Sequence, residues 1–186
     1  MIRLLVTSIC CLWFVAESIL GRWRHARHVE DRDKSSLQLI VAATFFAAFA
    51  SIFIGYTGLG RIEKGSELIR LLGIILLLLG IGIRWTSIFT LNRYFTVNVA
   101  ILEGHKLIRT GLYKYVRHPA YAGALLAFLG LGLAFSNWLS IIAGVVPSMA
   151  AILYRIRIEE EALKEILGSE YLEYARDTKR FIPGIY

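Results

Sequence analysis

Between Leu37 and Gly60 the chain carries no charged residue, and that run narrows what its 186 residues can fold into. At 1.5 Å per residue, a helix over such a run spans a hydrocarbon core of about 30 Å. Three further stretches have the same character. Leu4 to Gly21 is apolar except for Glu17, and Leu68 to Leu91 except for Arg70 and Arg84. Tyr121 to Tyr154 is uncharged throughout, but Ser136-Asn137-Trp138 interrupts it with a polar turn. That turn predicts two short helices back to back, and therefore five spans in all. Because each half of this hairpin is short, a thinned or tilted crossing is one way to accommodate it.

Composition supports this reading. Hydrophobic residues make up 56% of the chain and charged ones only 19%, the latter clumped between the apolar runs. Arg3 ahead of an apolar run resembles a secretory leader, but Glu17 and Ile19 occupy the place of the small residues a cleavage site needs. The first run is therefore expected to be a retained helix. Cys10 and Cys11 lie within it. Neighbouring cysteines seldom bridge each other, and no histidine lies near enough to complete a metal set, so they read as small apolar residues.

The formal net charge of +7 would suit a nucleic-acid partner, but its distribution argues against one. Basic residues gather in three segments. The first holds Arg22, Arg24, Arg27, Arg32 and Lys34, and the second Arg93, Lys106, Arg109, Lys114 and Arg117. The third holds Arg155, Arg157, Lys164, Arg176, Lys179 and Arg180. Five spans put all three on one side, leaving Arg3, Arg61 and Lys64 opposite. The positive-inside rule then places the N-terminus outside and the C-terminus in the cytosol. Membrane lipids, anionic ones above all, are the expected partners of such loops.

The chain changes character near Arg84. Residues 1–91 read as three ordinary spans. Residues 92–186 read as the catalytic region of one membrane domain, with a long loop, a tight hairpin and an amphipathic tail. In the tail Leu163, Ile166, Leu167, Tyr171 and Tyr174 recur at helical spacing, with Gly168 as a break or cap midway.

Two constellations could carry chemistry. In the first, His105, Tyr113, Arg117, His118 and Tyr121 crowd a membrane-proximal stretch. Pro119 begins the fourth span, a favoured place for proline, so His118 stands at a helix N-terminus that suits an anionic or electron-rich group. An interfacial cap would explain the same residues. In the second, Arg155 and Glu159 are four apart, share a helix face and can pair. Arg155 follows an uncharged run directly. At that depth an ionisable group is a functional candidate, as are Arg84 and Glu17 unless they snorkel to the interface.

Taken together, these constellations resemble a known family. The order His105-x-Leu107-Ile108-x-x-Gly111-x-Tyr113-x-x-x-Arg117-His118-Pro119-x-Tyr121-x-Gly123, then a hairpin, then Arg155-Ile156-x-x-Glu159-Glu160-x-x-Leu163-x-x-x-Leu167-Gly168-x-x-Tyr171-x-x-Tyr174 is similar to the isoprenylcysteine carboxyl methyltransferases. The Arg-His-Pro-x-Tyr element is shared with phospholipid methyltransferases and related membrane reductases, so alone it marks a superfamily. The resemblance implies S-adenosyl-L-methionine at the cytosolic face and a lipid-like substrate entering from the bilayer. It implies cofactor contacts from His105, Lys106, Leu107, Ile108, Tyr113, His118, Pro119, Ala120 and Tyr121, with Glu159 taking the cofactor's amino group. Arg155 would hold the substrate carboxylate, and no metal is implied. Asn98 stands where eukaryotic members carry a cofactor-contacting glutamine, and Leu167 where the family has phenylalanine. The alternatives are a phospholipid amine N-methyltransferase, a nicotinamide-dependent membrane reductase, and a non-catalytic scaffold or small transporter.

Overall fold

The computed structural model describes residues 2–23, 34–92, 107–182 and 184, and among these every regular element is helical. Four helices are long and apolar enough to cross a membrane: α1 (Ile2–Trp23), α2 (Lys34–Thr57), α3 (Ser66–Leu91) and α5 (Trp138–Leu167). Among the described residues between α3 and α5 are a 3₁₀ turn (Gly111–Lys114) and the shorter α4 (Pro119–Ala134), and α6 (Ser169–Asp177) follows α5. The chain is thus an all-α, multi-pass integral membrane protein.

α4 has 16 residues, about 24 Å of helix, and is the short member of the set. It tolerates this because it lies inside the bundle. Ala127, Phe128, Leu131, Ala134 and Phe135 pack with Val6, Cys10 and Trp13 of α1, Ala47 and Ala48 of α2 and Leu77 of α3. A helix apolar all round is stable where other helices enclose it. The outer faces of α1 to α3 carry the apolar residues that a bilayer would cover; Phe49, for example, is 70% exposed.

The α3–α4 seam is close because both helices present glycine to it. A Cβ at Gly73, Gly80, Gly123 or Gly130 would collide with the backbone of the facing helix. Small residues let membrane helices gain van der Waals contact where lipid supplies no hydrophobic drive. α2 and α5 are joined through polar groups instead. Ser51 Oγ donates to the Ser140 carbonyl at 2.9 Å, and Ser140 Oγ to the Ser51 carbonyl at 2.7 Å.

Ser136 and Asn137 form the turn between α4 and α5. Asn137 Oδ1 caps α5 by accepting from Ser140 N–H at 3.0 Å, while its Nδ2 donates to the Leu59 carbonyl at 2.6 Å. Ser136 Oγ donates to the Ile62 carbonyl at 2.9 Å, so the turn is fastened to the α2–α3 loop.

The hairpin departs from expectation on one side. Only its first half is short, since α5 runs 30 residues and carries Arg155, Glu159 and Glu160 on the same helix that crosses the bundle. The expected break at Gly168 is present, with φ +52, a conformation glycine adopts without a Cβ penalty. Because the chain turns there, the apolar stripe is not continuous. Tyr171 and Tyr174 of α6 are buried, whereas Ile166 on α5 is exposed.

Candidate functional site

The predicted site residues meet at the end of the bundle opposite the Ser136–Asn137 turn. Here α4 begins, α5 leaves its apolar stretch, and the 3₁₀ turn and α6 lie alongside. His105 and Lys106, together with Asn98, lie outside the described residues. Leu107 and Ile108 are half-buried where the described chain resumes.

Pro119 is the first residue of α4 and His118 its N-cap; the His118 carbonyl accepts from Tyr121 N–H at 3.1 Å and Ala122 N–H at 3.0 Å. Proline fits here because a first-turn N–H has no helical partner. His118, Pro119 and Ala120 are all buried. The Tyr121 hydroxyl donates to Glu159 Oε2 at 3.1 Å, joining the first turn of α4 to α5. One turn earlier on α5, Arg155 is 3% exposed and its Nη1 donates to Ser36 Oγ of α2 at 2.6 Å. The Arg155 guanidinium is also close enough to act electrostatically on the Tyr121 hydroxyl, so this tyrosine neighbours both candidate α5 groups.

Tyr113 is buried in the 3₁₀ turn, and its carbonyl accepts from the Tyr174 hydroxyl at 2.7 Å. Burial first, and then the Glu159 carboxylate, push the Tyr113 phenol above its usual range. Burial likewise pushes Tyr174 up to about 12. Both remain neutral donors at physiological pH.

Beside this group lies a second cluster centred on Glu160. Its Oε1 accepts from Arg117 Nε and Arg180 Nε, both at 3.2 Å, and faces His118 Nε2 at 3.3 Å. Oε2 accepts from Arg180 Nη2 at 2.7 Å. Glu160 and Arg117 figured in the sequence motif without an assigned role, Arg180 counted only among the basic residues of the tail, and Ser36 carried no local signal at all. Adjacent residues on a helix point about 100° apart, which is how Glu159 and Glu160 come to serve different neighbours.

Arg84 and Glu17 do not reach separately for the interface. Arg84 Nε and Nη2 bind the two Glu17 oxygens at 2.6 and 2.7 Å, and Trp13 Nε1 adds a bond to Glu17 at 3.0 Å. Arg84 Nη1 also reaches the Ala120 carbonyl at 3.5 Å, placing the pair beneath the first turn of α4.

The cluster sets a carboxylate beside tyrosine hydroxyls at the start of a helix. Glu159 supplies a carboxylate beside two neutral tyrosines, and His118 marks a helix N-terminus. Among the described residues, no three His, Cys, Asp or Glu side chains are grouped to hold a metal ion.

Residues 72–165, half of the chain, match the family model described as "Isoprenylcysteine carboxyl methyltransferase (ICMT) family". Protein-S-isoprenylcysteine O-methyltransferase B of Arabidopsis thaliana is 35% identical over 115 residues, covering 61% of this chain and 58% of the relative. Protein-S-isoprenylcysteine O-methyltransferase of Saccharomyces cerevisiae is 32% identical over 122 residues, covering 64% and 51%. The chain thus matches between about half and three-fifths of these relatives' length. A solved structure of the eukaryotic intramembrane Ras methyltransferase ICMT superposes with a TM-score of 0.59 at 26% identity, covering 83% of this chain and 54% of that one.

Proposed function

The chain belongs to the isoprenylcysteine carboxyl methyltransferase family, and from that premise we propose that it methylates the carboxylate of a lipid-like, isoprenylcysteine-type substrate with S-adenosyl-L-methionine. The observation that carries this reading is the pairing of a buried arginine, Arg155, with Glu159 one turn away, on either side of Tyr121. The region from 92 to 186 supplies the chemistry, and α2 contributes Ser36.

S-adenosyl-L-methionine, when bound, supplies an electrophilic methyl group. Glu159 is the group to take its amino end. The neutral phenols of Tyr113 and Tyr121, with His118, Pro119 and Ala120, line its place, and Leu107 and Ile108 adjoin it. The roles of His105 and Lys106 are carried by the family resemblance. Arg155 holds the substrate carboxylate through its planar, permanently charged fork. That carboxylate is already ionised at neutral pH, so no residue has to act as a base. The work of this chain is alignment, which can be worth about 7–11 kcal/mol.

Methylating a lipid amine would need a proton acceptor. His118 is the obvious one, but its Nε2 is already engaged by the Glu160 carboxylate at 3.3 Å. The carboxylate reading needs no such group. In detergent, the purified protein should bind S-adenosylhomocysteine by calorimetry, and Glu159→Ala should weaken that binding by about tenfold or more, the order of one charge-assisted hydrogen bond. Folded wild-type protein that does not bind at millimolar ligand overturns the reading. Transfer of label to phosphatidylethanolamine instead of a prenylcysteine analogue would replace it with the amine reading.

The site belongs on the cytosolic side by the charge distribution of the loops. A cysteine introduced at exposed Lys114 should label only from that side in oriented vesicles. Labelling from the outer side reverses the assignment.

A further inference from the structure

After α6 the chain doubles back across the start of α4. Arg117 N–H donates to the Lys179 carbonyl at 2.7 Å and His118 N–H to the Arg180 carbonyl at 3.0 Å. Side chains repeat the link. Arg117 Nη1 donates to the Ala175 carbonyl at 2.9 Å and also to the Thr178 carbonyl. Glu160 binds Arg117 and Arg180 together and faces His118. The segment from Thr178 to Phe181 is therefore a strap, fastened to the two residues that precede Pro119.

Hydrogen bonds and ion pairs fasten this strap, and Phe181 adds apolar contact, packing partly buried against the cluster of Ala124, Leu125, Ile152 and Ile156. Ile182 is 52% exposed and the Arg180 side chain 30% exposed, whereas Glu160 beneath them is 5% exposed. A short segment of this kind, whose last residues are exposed, opens locally without unfolding the bundle. Glu160 is the carboxylate that Arg117 and Arg180 share, so it links the strap to the residue before His118. Neither Glu160 nor Arg180 is among the groups assigned to ligand, and Arg180 lies beyond the residues matched to the family.

We propose that Glu160 and Arg180 are positioning residues, clamping the C-terminal strap onto the Arg117–His118 peptide so that the cofactor-binding mouth at the start of α4 is ordered before ligand arrives. This rests on the functional reading above, in which His118 to Tyr121 border the cofactor. A mouth set in advance spares ligand binding the entropy of ordering it, so the clasp acts on affinity. Once ligand is seated, the reacting groups are held by Arg155 and Glu159, and the clasp has little further effect on turnover.

The full-length protein in detergent tests this with Arg180→Ala, Glu160→Gln and the two combined, titrated with S-adenosylhomocysteine and assayed with S-adenosylmethionine and a prenylcysteine analogue. Each single variant should raise the Kd and the cofactor KM about tenfold and leave kcat at saturation within about threefold of wild type. The double variant should be no worse than either single one, because both open the same clasp. Arg180→Lys, which keeps the charge and should fold even if alanine is not tolerated, should recover binding to within about threefold. Wild-type affinity in both single variants, additive losses in the double, or a fall in kcat at unchanged Kd would each overturn the proposal. Absence of binding by wild type itself would strike the functional reading instead.

Discussion

Replacing Arg155 with alanine should lower methyl transfer to a carboxylate acceptor by about 10²–10³-fold, the range seen when one preorganised charge-stabilising donor is removed from an active site. The expectation follows from where Arg155 lies. It is 3% exposed, at the point where α5 leaves its uncharged stretch, and its Nη1 is anchored on Ser36 Oγ at 2.6 Å. A carboxylate drawn from the interface into such surroundings loses water, and a fixed guanidinium replaces that hydration while setting the angle of attack. Cofactor affinity should stay within about threefold of wild type, because the proposal gives that ligand to Glu159 and the tyrosines. Lysine at 155 should restore little, since an ammonium lacks the planar fork. The measurement is a radiolabel transfer assay run beside calorimetry with S-adenosylhomocysteine. If binding collapses together with transfer, Arg155 belongs to the cofactor and the proposed division of roles is wrong.

The second large effect concerns stability. Glu17→Ala should destabilise the protein by about 3–5 kcal/mol, the usual cost of leaving one partner of a buried ion pair unpaired. Both side chains are at most 20% exposed, so solvent screening does little to soften the loss. At about 2–4 °C per kcal/mol for a chain of this size, the thermal midpoint in detergent should fall by roughly 6–20 °C. Glu17→Gln combined with Arg84→Met should recover much of it, because no uncompensated charge then remains. A midpoint for Glu17→Ala within about 1 °C of wild type would mean that Arg84 is satisfied without α1. The pair also supports the site, since Arg84 reaches the Ala120 carbonyl one residue before Tyr121.

These cases show how differently the parts could be read in advance. The long helices were legible because apolar runs in a membrane protein have only one environment to suit. The polar turn at Ser136-Asn137 was legible for the converse reason, as its groups need partners that a bilayer does not offer. Pro119 marked the start of α4 by its own geometry. The length of α5 was less visible, because charge begins at Arg155 while the helix continues to Leu167. The end of the bilayer and the end of a helix are separate events, and composition registers only the first.

The candidate site divides along similar lines. Arg155, Glu159, His118 and Tyr121 could be singled out because their motifs are local, and the structure brings them to one end of the bundle. Ser36, Arg180 and the pairing of Glu17 with Arg84 could not. Each depends on contacts spanning tens of residues of chain, which leave no periodicity behind. Composition and charge pattern by themselves determined that this is a multi-pass helical protein, with its reactive motifs beside its basic loops. Only the tertiary structure decided that α4 is the enclosed helix, that Glu159 and Glu160 face different partners, and that the C-terminal strap closes over Arg117 and His118. Burial follows from the run of side chains, whereas an ion pair or a strap exists only once packing has brought its two halves together.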